Sequence, residues 1–288
     1  MENLKNNIEC KNRRLISEEI SKKCPMELGK EIIITGSVSR GYADENSDIE
    51  IEFLVDKMLP EEERIAWIRS IGGTEIRSYG APIIDGSEWV IFNYQGYFVE
   101  AGWQTYSAME SNINDILKLK YCTHDRLLLA SSLKDAKTLK DKGIITEIKK
   151  KMDIYPEGLE QKIILNTIEP WTVELALKVR KSLARRDDRI PLVQTMVFDI
   201  QRIIRILFAL NKQWEADWKW TRYTFDNLAI KPPRLNDRIN EILGMNNAEL
   251  SLQECFNLIN DTLLLIPEQL ELDQTVGKIA NNIYKLQL

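Results

Sequence analysis

The stretch that decides the fold is IITGSVSRGYADENSDIEIEF, residues 33–53. An apolar β-branched run enters a Gly36-Ser37 turn, and after ten further residues acids begin to alternate with apolar residues at Asp48 and Glu50. Side chains two positions apart in a strand point to the same face, so these two carboxylates project side by side. Two ionised carboxylates repel each other, and a divalent cation removes that conflict. Oxygen ligands of this kind suit Mg²⁺.

The turn before the acids has the features of a phosphate-binding loop. Gly36 allows a phosphate to approach the backbone, and Ser37 offers an amide N–H and a hydroxyl, particularly where a short helix starts at the next residue. Arg40 in the same turn is able to hold a phosphate bidentately. The alternative for this arginine is a surface ion pair with Asp44 or Glu45.

Apolar periodicity divides the chain into two regions with different predicted secondary structure. Up to Tyr106 it predicts alternating strands and helices, and after that helical spacing dominates and glycine becomes rare. We therefore predict a mixed α/β domain over residues 1–110 and an all-α helical domain over 111–288, with a boundary between 107 and 155. The elements predicted in the first region are a helix at 12–24, strands at 31–35 and 47–56, a helix at 60–73, a strand at 74–80, and a hairpin over 88–106 that turns at Gln95-Gly96.

A long, nearly all-apolar helix is predicted over residues 191–214, and it carries charged residues at Asp199, Arg202 and Arg205. Charges on so apolar a helix should be paired or should line a cleft. Asp199 is therefore either part of a buried structural ion pair or a candidate base for an acceptor hydroxyl. The alternative bases are Glu169 and Glu174. Lys219, in the cluster DWKW, either points to water beside core tryptophans or reaches a triphosphate across an interdomain cleft.

The length, net charge and cysteine content of the chain limit the classes of partner that we expect. The chain has 288 residues, a formal net charge of −5 and four scattered cysteines without a CxxC pair. Nucleic acid is therefore an unlikely default partner, since phosphate binding needs a basic surface. No apolar run approaches the roughly 20 residues of a membrane span. The beginning of the chain is polar, and we expect a cytoplasmic protein with reduced thiols and no membrane partner. The sequence does not determine the oligomeric state.

The pattern GSxxRG…SDIE resembles the signature of the polymerase-beta-type nucleotidyltransferase superfamily, and it is similar to the minimal and aminoglycoside-modifying branches. The resemblance implies an α+β fold with a small mixed sheet, flanking helices and an all-α helical bundle domain. It also implies a third carboxylate on a later strand, for which Glu100 is the natural match and Glu52 the alternative. Glu50 stands where aspartate is more usual. The segment LFALNKQWEADWKWTRYTFDNLAIKPPRL, residues 207–235, resembles the helical domain of uncharacterised bacterial nucleotidyltransferase-like proteins.

The activity implied by this resemblance is Mg²⁺-dependent transfer of a nucleoside monophosphate, most often AMP from ATP as co-substrate, to a hydroxyl, with release of pyrophosphate. Asp48, Glu50 and Glu100 would hold two Mg²⁺ ions. The residues expected at the nucleotide are Gly36, Ser37, Arg40, Ser47 and Lys219. The acceptor would be a small molecule, of which an aminoglycoside- or lincosamide-like antibiotic is one candidate, so antibiotic resistance is one expected role. The alternatives are transfer to a protein or tRNA, as in toxin–antitoxin systems, and a non-catalytic nucleotide-binding module.

Overall fold

A computed structural model describes residues 7–80, 83 and 85–286. The chain divides into two units, Met1–Ile154 and Tyr155–Leu288, each with its own core. The segment 111–154, which the sequence prediction assigns to the helical domain, belongs to the first unit. Among the helices of the described residues, none is both long and apolar enough to cross a lipid bilayer.

The first unit is built on a six-stranded mixed sheet. Its strands are β1 (Glu31–Ile34), β2 (Ile49–Val55), β3 (Thr74–Ser78), β4 (Glu88–Tyr94), β5 (Tyr97–Thr105) and β6 (Lys137–Lys140). The strand order is β3-β4-β5-β2-β1-β6, and every neighbouring pair is antiparallel except β2 and β5, which are parallel. The predicted mixed sheet with flanking helices is therefore confirmed.

The predicted hairpin joins β4 to β5 through the two residues Gln95 and Gly96. Both have positive φ, of 51° and 83°, which is the backbone that a tight hairpin turn of matching twist requires. The hairpin makes β5 the neighbour of both β4 and β2. Both acidic positions of β2 lie in register with β5, because Glu50 pairs with Glu100 and Glu52 with Gly102.

Helices flank this sheet. They are α1 (Ile8–Lys23), α2 (Gly36–Arg40), α3 (Glu61–Ser70), α4 (Tyr106–Leu117), α5 (His124–Asp135) and α6 (Ile144–Lys151). The sequence signals that predict the helix α3 lie at its two ends. It follows Pro60 with three glutamates in its first turn, where the helix dipole favours negative charge, and it is followed by Gly72 with a φ of +100°.

One face of the sheet is a packed apolar core, and this determines where the acids of β2 point. Ile49, Ile51 and Phe53 are fully buried in that core, and the Phe53 ring stacks on Trp103 with centroids 4.7 Å apart. Because side chains alternate along a strand, Glu50 and Glu52 must project from the opposite face. The apolar packing of β2 thus fixes the register of its carboxylates.

The second unit is helical, as predicted. Its α-helices are α7 (Leu159–Ile168), α8 (Glu174–Arg185), α9 (Arg189–Leu210), α10 (Thr221–Phe225), α11 (Leu235–Gly244), α12 (Ala248–Leu263) and α13 (Asp273–Tyr284). Short 3₁₀ turns lie at Glu169–Thr172, Trp218–Trp220 and Glu268–Leu270. The helix α9 is the centre of this unit, since half of its 22 residues are buried and it packs against α7, α8 and α12.

Candidate metal centre

Three carboxylates converge on the face of the sheet opposite the apolar core. Asp48 immediately precedes β2, Glu50 lies within that strand, and Glu100 is the residue directly paired with Glu50 on the parallel strand β5. Each of the three offers a carboxylate oxygen, and these oxygens all lie within 4.8 Å of one another. The three side chains are half-buried. The structure thus brings together the three acids that the sequence predicts as metal ligands.

The donor set fits a hard divalent cation. Mg²⁺ takes oxygen ligands at about 2.0–2.1 Å, so ligands on opposite sides of one ion are about 4.2 Å apart. Oxygens within 4.8 Å of one another need only small side-chain adjustments to reach that separation. Partial burial leaves the negative charges poorly screened by water, and a cation relieves their mutual repulsion. The chemistry and spacing of these residues are therefore suited to Mg²⁺ with substrate oxygens completing its coordination.

The Gly36 backbone makes room for the Glu50 carboxylate. Gly36 has a φ of +61°, and a Cβ at this position would lie 2.5 Å from both Cδ and Oε2 of Glu50. On the preceding residue, the Thr35 amide donates to the Glu50 backbone oxygen at 3.0 Å, and its hydroxyl lies 3.4 Å from Glu50 Oε2. The sequence indicates this glycine as a place for phosphate, and the structure adds that only glycine allows Glu50 its observed position.

A buried arginine holds the turn that precedes Asp48. Arg13 of α1 is 3% exposed, and its guanidinium donates to the backbone oxygens of Ser47 at 2.8 Å and Glu45 at 3.1 Å. Within the turn, the Ser47 hydroxyl donates to Asp44 Oδ1 at 3.0 Å and accepts from the Asp44 amide at 2.9 Å. The Ser47 side chain therefore shapes the turn, and a contact between Ser47 and a nucleotide stays a prediction.

Arg13 was missed by the sequence analysis, although a signal for it exists. It lies at helical spacing from Ile16 and Ile20, on the face of α1 that packs inward. A charged residue on such a face needs buried partners, and carbonyl oxygens of a tight turn provide them. The sequence does not reveal that this turn is the one before Asp48, because the contact is formed by distant parts of the chain.

Arg40 is engaged by α5 rather than by either partner considered from the sequence. Its Nε donates to Asp135 at 2.8 Å and its Nη2 to Ser131 at 3.3 Å, and its side chain is only 8% exposed. An arginine held in this way would have to give up its ion pair with Asp135 to contact phosphate. The geometry therefore favours a structural role for Arg40. Ser37 is buried in α2, where its backbone oxygen accepts from the Tyr42 amide at 2.9 Å.

Glu52 lies on the same face of β2 but outside the group of three. Its register partner on β5 is Gly102, which contributes no side chain, whereas the partner of Glu50 is Glu100. Burial raises the pKa of Glu52 to about 8, and the charges of Asp85 and Glu50 raise it further in the same direction, against a hydrogen bond from Thr35. Glu100 is therefore the better placed of the two candidates for the third ligand.

Tyr79 is a further side chain at this site that the sequence analysis missed. Its hydroxyl donates to Glu100 Oε1 at 3.4 Å, and the ring is 56% exposed. The negative charge of Glu100 raises the pKa of Tyr79, with smaller contributions from burial, from the hydrogen bond itself and from Asp48. The hydroxyl therefore remains protonated and donates to Glu100.

Asp199 in the second unit is completely buried and fully engaged. It accepts from Trp171 Nε1 at 2.7 Å, from Arg180 at 2.6 and 2.9 Å, and from Arg202 at 3.0 Å. A general base needs access to the proton it removes, and three donors already occupy this carboxylate. Of the two alternatives for Asp199, the geometry therefore favours the structural ion pair and not the base.

Lys219 also belongs to the second unit, in the 3₁₀ turn Trp218–Trp220. It is exposed and lies 4.0 Å from Asp217, whose side chain accepts from the Lys219 amide at 2.8 Å. The exposed position agrees with the alternative in which the ammonium points to water. A contact between Lys219 and a triphosphate stays a prediction.

Comparison with known proteins finds a family model that matches part of the chain and a weak similarity to a solved structure. A family model described as a domain of unknown function, DUF4037, matches residues 121–221. No curated protein matches the sequence. Among solved structures, a nucleotidyltransferase-like protein from Exiguobacterium sibiricum is similar with a TM-score of 0.40 and 11% identity, over 97% of this chain and 89% of that chain. Neither match shows an activity for this chain.

Proposed function

We propose that this protein is a Mg²⁺-dependent nucleotidyltransferase that transfers AMP from ATP to a hydroxyl of a small-molecule acceptor and releases pyrophosphate. The observation that carries the proposal is the convergence of Asp48, Glu50 and Glu100, with ligand oxygens within 4.8 Å of one another, beside the Gly36 turn. A bound divalent cation in such a site neutralises triphosphate oxygens, polarises the α-phosphate and lowers the pKa of an acceptor hydroxyl.

The protein's own residues contribute positioning and charge. Glu50 and Glu100 come from paired strands with a rigid apolar core behind them, so their separation is set by backbone register. Arg13 holds the turn before Asp48, and the Gly36 backbone leaves space for Glu50. Tyr79 donates to Glu100 and restricts its orientation. Ligands held in this way need only small adjustments when a cation and substrate bind.

The decisive assay measures pyrophosphate release from ATP with Mg²⁺ and a panel of hydroxyl-bearing acceptors that includes aminoglycoside and lincosamide antibiotics. Asp48→Asn should lower the rate by at least a hundredfold, which is about 2.7 kcal/mol of transition-state stabilisation. Asp56→Asn is the matched control, because Asp56 follows the other end of β2 and forms an exposed pair with Lys30. This control should keep the wild-type rate.

Two results would count against the proposal. One is the absence of pyrophosphate release with every acceptor, together with the absence of label transfer from α-labelled ATP to any component of a cell lysate. The other is an equal rate in Asp48→Asn and Asp56→Asn. Label on a protein or on tRNA in the lysate would support nucleotidyl transfer, but it would contradict the proposal that the acceptor is a small molecule.

A further inference from the structure

The second unit contains a cavity of about 510 Å³ between α9, the turn Trp218–Trp220 with the following α10, and α11. Volumes of about 300–1,000 Å³ are typical of small-molecule sites. Its apolar and aromatic lining residues are Val197, Ile200, Ile204, Trp218, Phe225, Ile239 and Leu243. The cavity is lined by residues of the second unit, whereas the three carboxylates belong to the first unit.

Three carboxamides and a hydroxyl face this cavity. Gln201 comes from α9, Asn236 and Asn240 lie one helical turn apart on α11, and Thr221 begins α10. Within the described part of the chain, none of these four side chains has a hydrogen-bond partner in the protein. Each carboxamide offers one carbonyl acceptor and two N–H donors. The cavity therefore presents unused donors and acceptors side by side, next to apolar walls.

The charge of the lining excludes anions as the matching ligand. Among the lining residues that the structure describes, Asp237 is the only charged one, and it lies 3.6 Å from Arg234. A phosphate would find no lysine or arginine in the lining and one carboxylate. Because the Asp237 carboxylate is already paired with Arg234, the described lining offers no unpaired counter-charge to a cation either, and the matching ligand is uncharged in the part that enters the cavity.

One aromatic wall of the cavity is held in place. The Trp218 indole N–H donates to Glu215 Oε1 at 3.1 Å, and the Arg205 guanidinium carbon lies 5.9 Å from the ring centroid. Arg205 is in turn bonded to Glu215 at 3.0 Å. A tryptophan ring fixed by such contacts loses little conformational freedom when it binds a flat ligand. Aromatic rings of this kind stack on any nucleobase, because every base has a π-face.

We propose that this cavity binds an uncharged planar heterocycle of the nucleobase class, stacked against Trp218 and hydrogen-bonded at its edge by the carboxamides. Asparagine and glutamine side chains pair bidentately with the N6/N7 edge of adenine, which has one donor and one acceptor side by side. The described lining of this site belongs to the second unit and includes none of the three carboxylates. The proposal does not depend on nucleotidyl transfer.

The test is isothermal titration calorimetry of the full-length protein with adenosine in the absence of Mg²⁺. Adenosine should bind, and Asn240→Leu should weaken the affinity at least tenfold without changing the melting temperature, since Asn240 is exposed. Gln274→Leu is the matched control, because Gln274 is an exposed amide on α13 that does not line the cavity. It should bind adenosine like the wild type, and so should Asp48→Asn.

Four outcomes would overturn the proposal. The first is no heat of binding with adenosine at millimolar concentration. The second is equal affinity in Asn240→Leu and Gln274→Leu. The third is loss of adenosine binding in Asp48→Asn, which would place the nucleoside at the carboxylates. The fourth is binding of inositol but not of adenosine, with the same dependence on Asn240. The ligand would then be a polyol and not a planar heterocycle.

Discussion

The contact between Gly36 and Glu50 allows a substitution that separates backbone strain from loss of the metal site. In Gly36→Ala the new methyl group would lie 2.5 Å from Glu50 Cδ, about 0.9 Å short of an ordinary contact at 3.4 Å. The end of a glutamate side chain can move that far at small cost. The free energy of unfolding should therefore fall mainly through the φ of +61°, by about 1–2 kcal/mol.

The displaced carboxylate, in contrast, should lose its role as a ligand. Mg²⁺ demands nearly ideal octahedral geometry at about 2.0–2.1 Å, so a shift of roughly 0.9 Å removes Glu50 from the coordination sphere. We expect the affinity for Mg²⁺, measured by calorimetry with an α,β-methylene analogue of ATP, to fall at least tenfold. That corresponds to about 1.4 kcal/mol.

Gly96→Ala is the matched control for this experiment. Gly96 has a φ of +83°, and a Cβ there would have no neighbour within 4 Å. Urea denaturation without metal should show a similar loss of stability in both variants, whereas the Mg²⁺ affinity should fall only in Gly36→Ala. Equal Mg²⁺ affinity in the two variants would refute the reasoning that places Glu50 in the site.

Glu100→Gln should reduce pyrophosphate release at least a hundredfold while Glu52→Gln stays within about threefold of wild type, and the reverse order would make Glu52 the third ligand. Asp199→Asn should lower the free energy of unfolding in urea by about 3–5 kcal/mol, because it leaves a buried arginine without its counter-charge, and the transfer rate per folded molecule should not change. A lost rate at unchanged stability would instead restore Asp199 as a base. Burial raises the pKa of the Cys24 thiol to about 12, and of the four cysteines only Cys122 is not buried, so a thiol reagent at pH 8 should modify one cysteine rapidly. Cys122→Ser should abolish this fast reaction, and several fast equivalents in the native wild type would contradict the burial of the others.

The local patterns in the sequence were sufficient to predict most of the sheet and the pair Asp48 and Glu50, whereas Glu100 was predicted from the family resemblance. The alternation around Asp48 and Glu50 determines the face on which they lie, because the apolar residues between them have to face the core. The hairpin at Gln95-Gly96 carries Glu100 to the neighbouring position, and its turn chemistry is visible in two residues. These features depend on residues that are close together in the chain.

The partners of charged residues could not be predicted in the same way. Arg40 is bonded to Asp135 and Arg13 to the turn before Asp48, and in both cases distant segments of the chain meet. The periodicity of α9 indicates that Asp199 is buried, but it does not indicate that Arg180 of α8 is there to neutralise it. Such pairs are set by tertiary packing, which a single sequence does not encode in any local period.

The most direct test of the central claim is a crystal structure of the protein grown with Mn²⁺ and an α,β-methylene analogue of ATP, with anomalous scattering used to locate the metal. We predict an anomalous peak at coordination distance from carboxylate oxygens of Asp48, Glu50 and Glu100, with phosphate oxygens completing the shell. A peak elsewhere, or ordered nucleotide with no metal between these three carboxylates, would contradict the account.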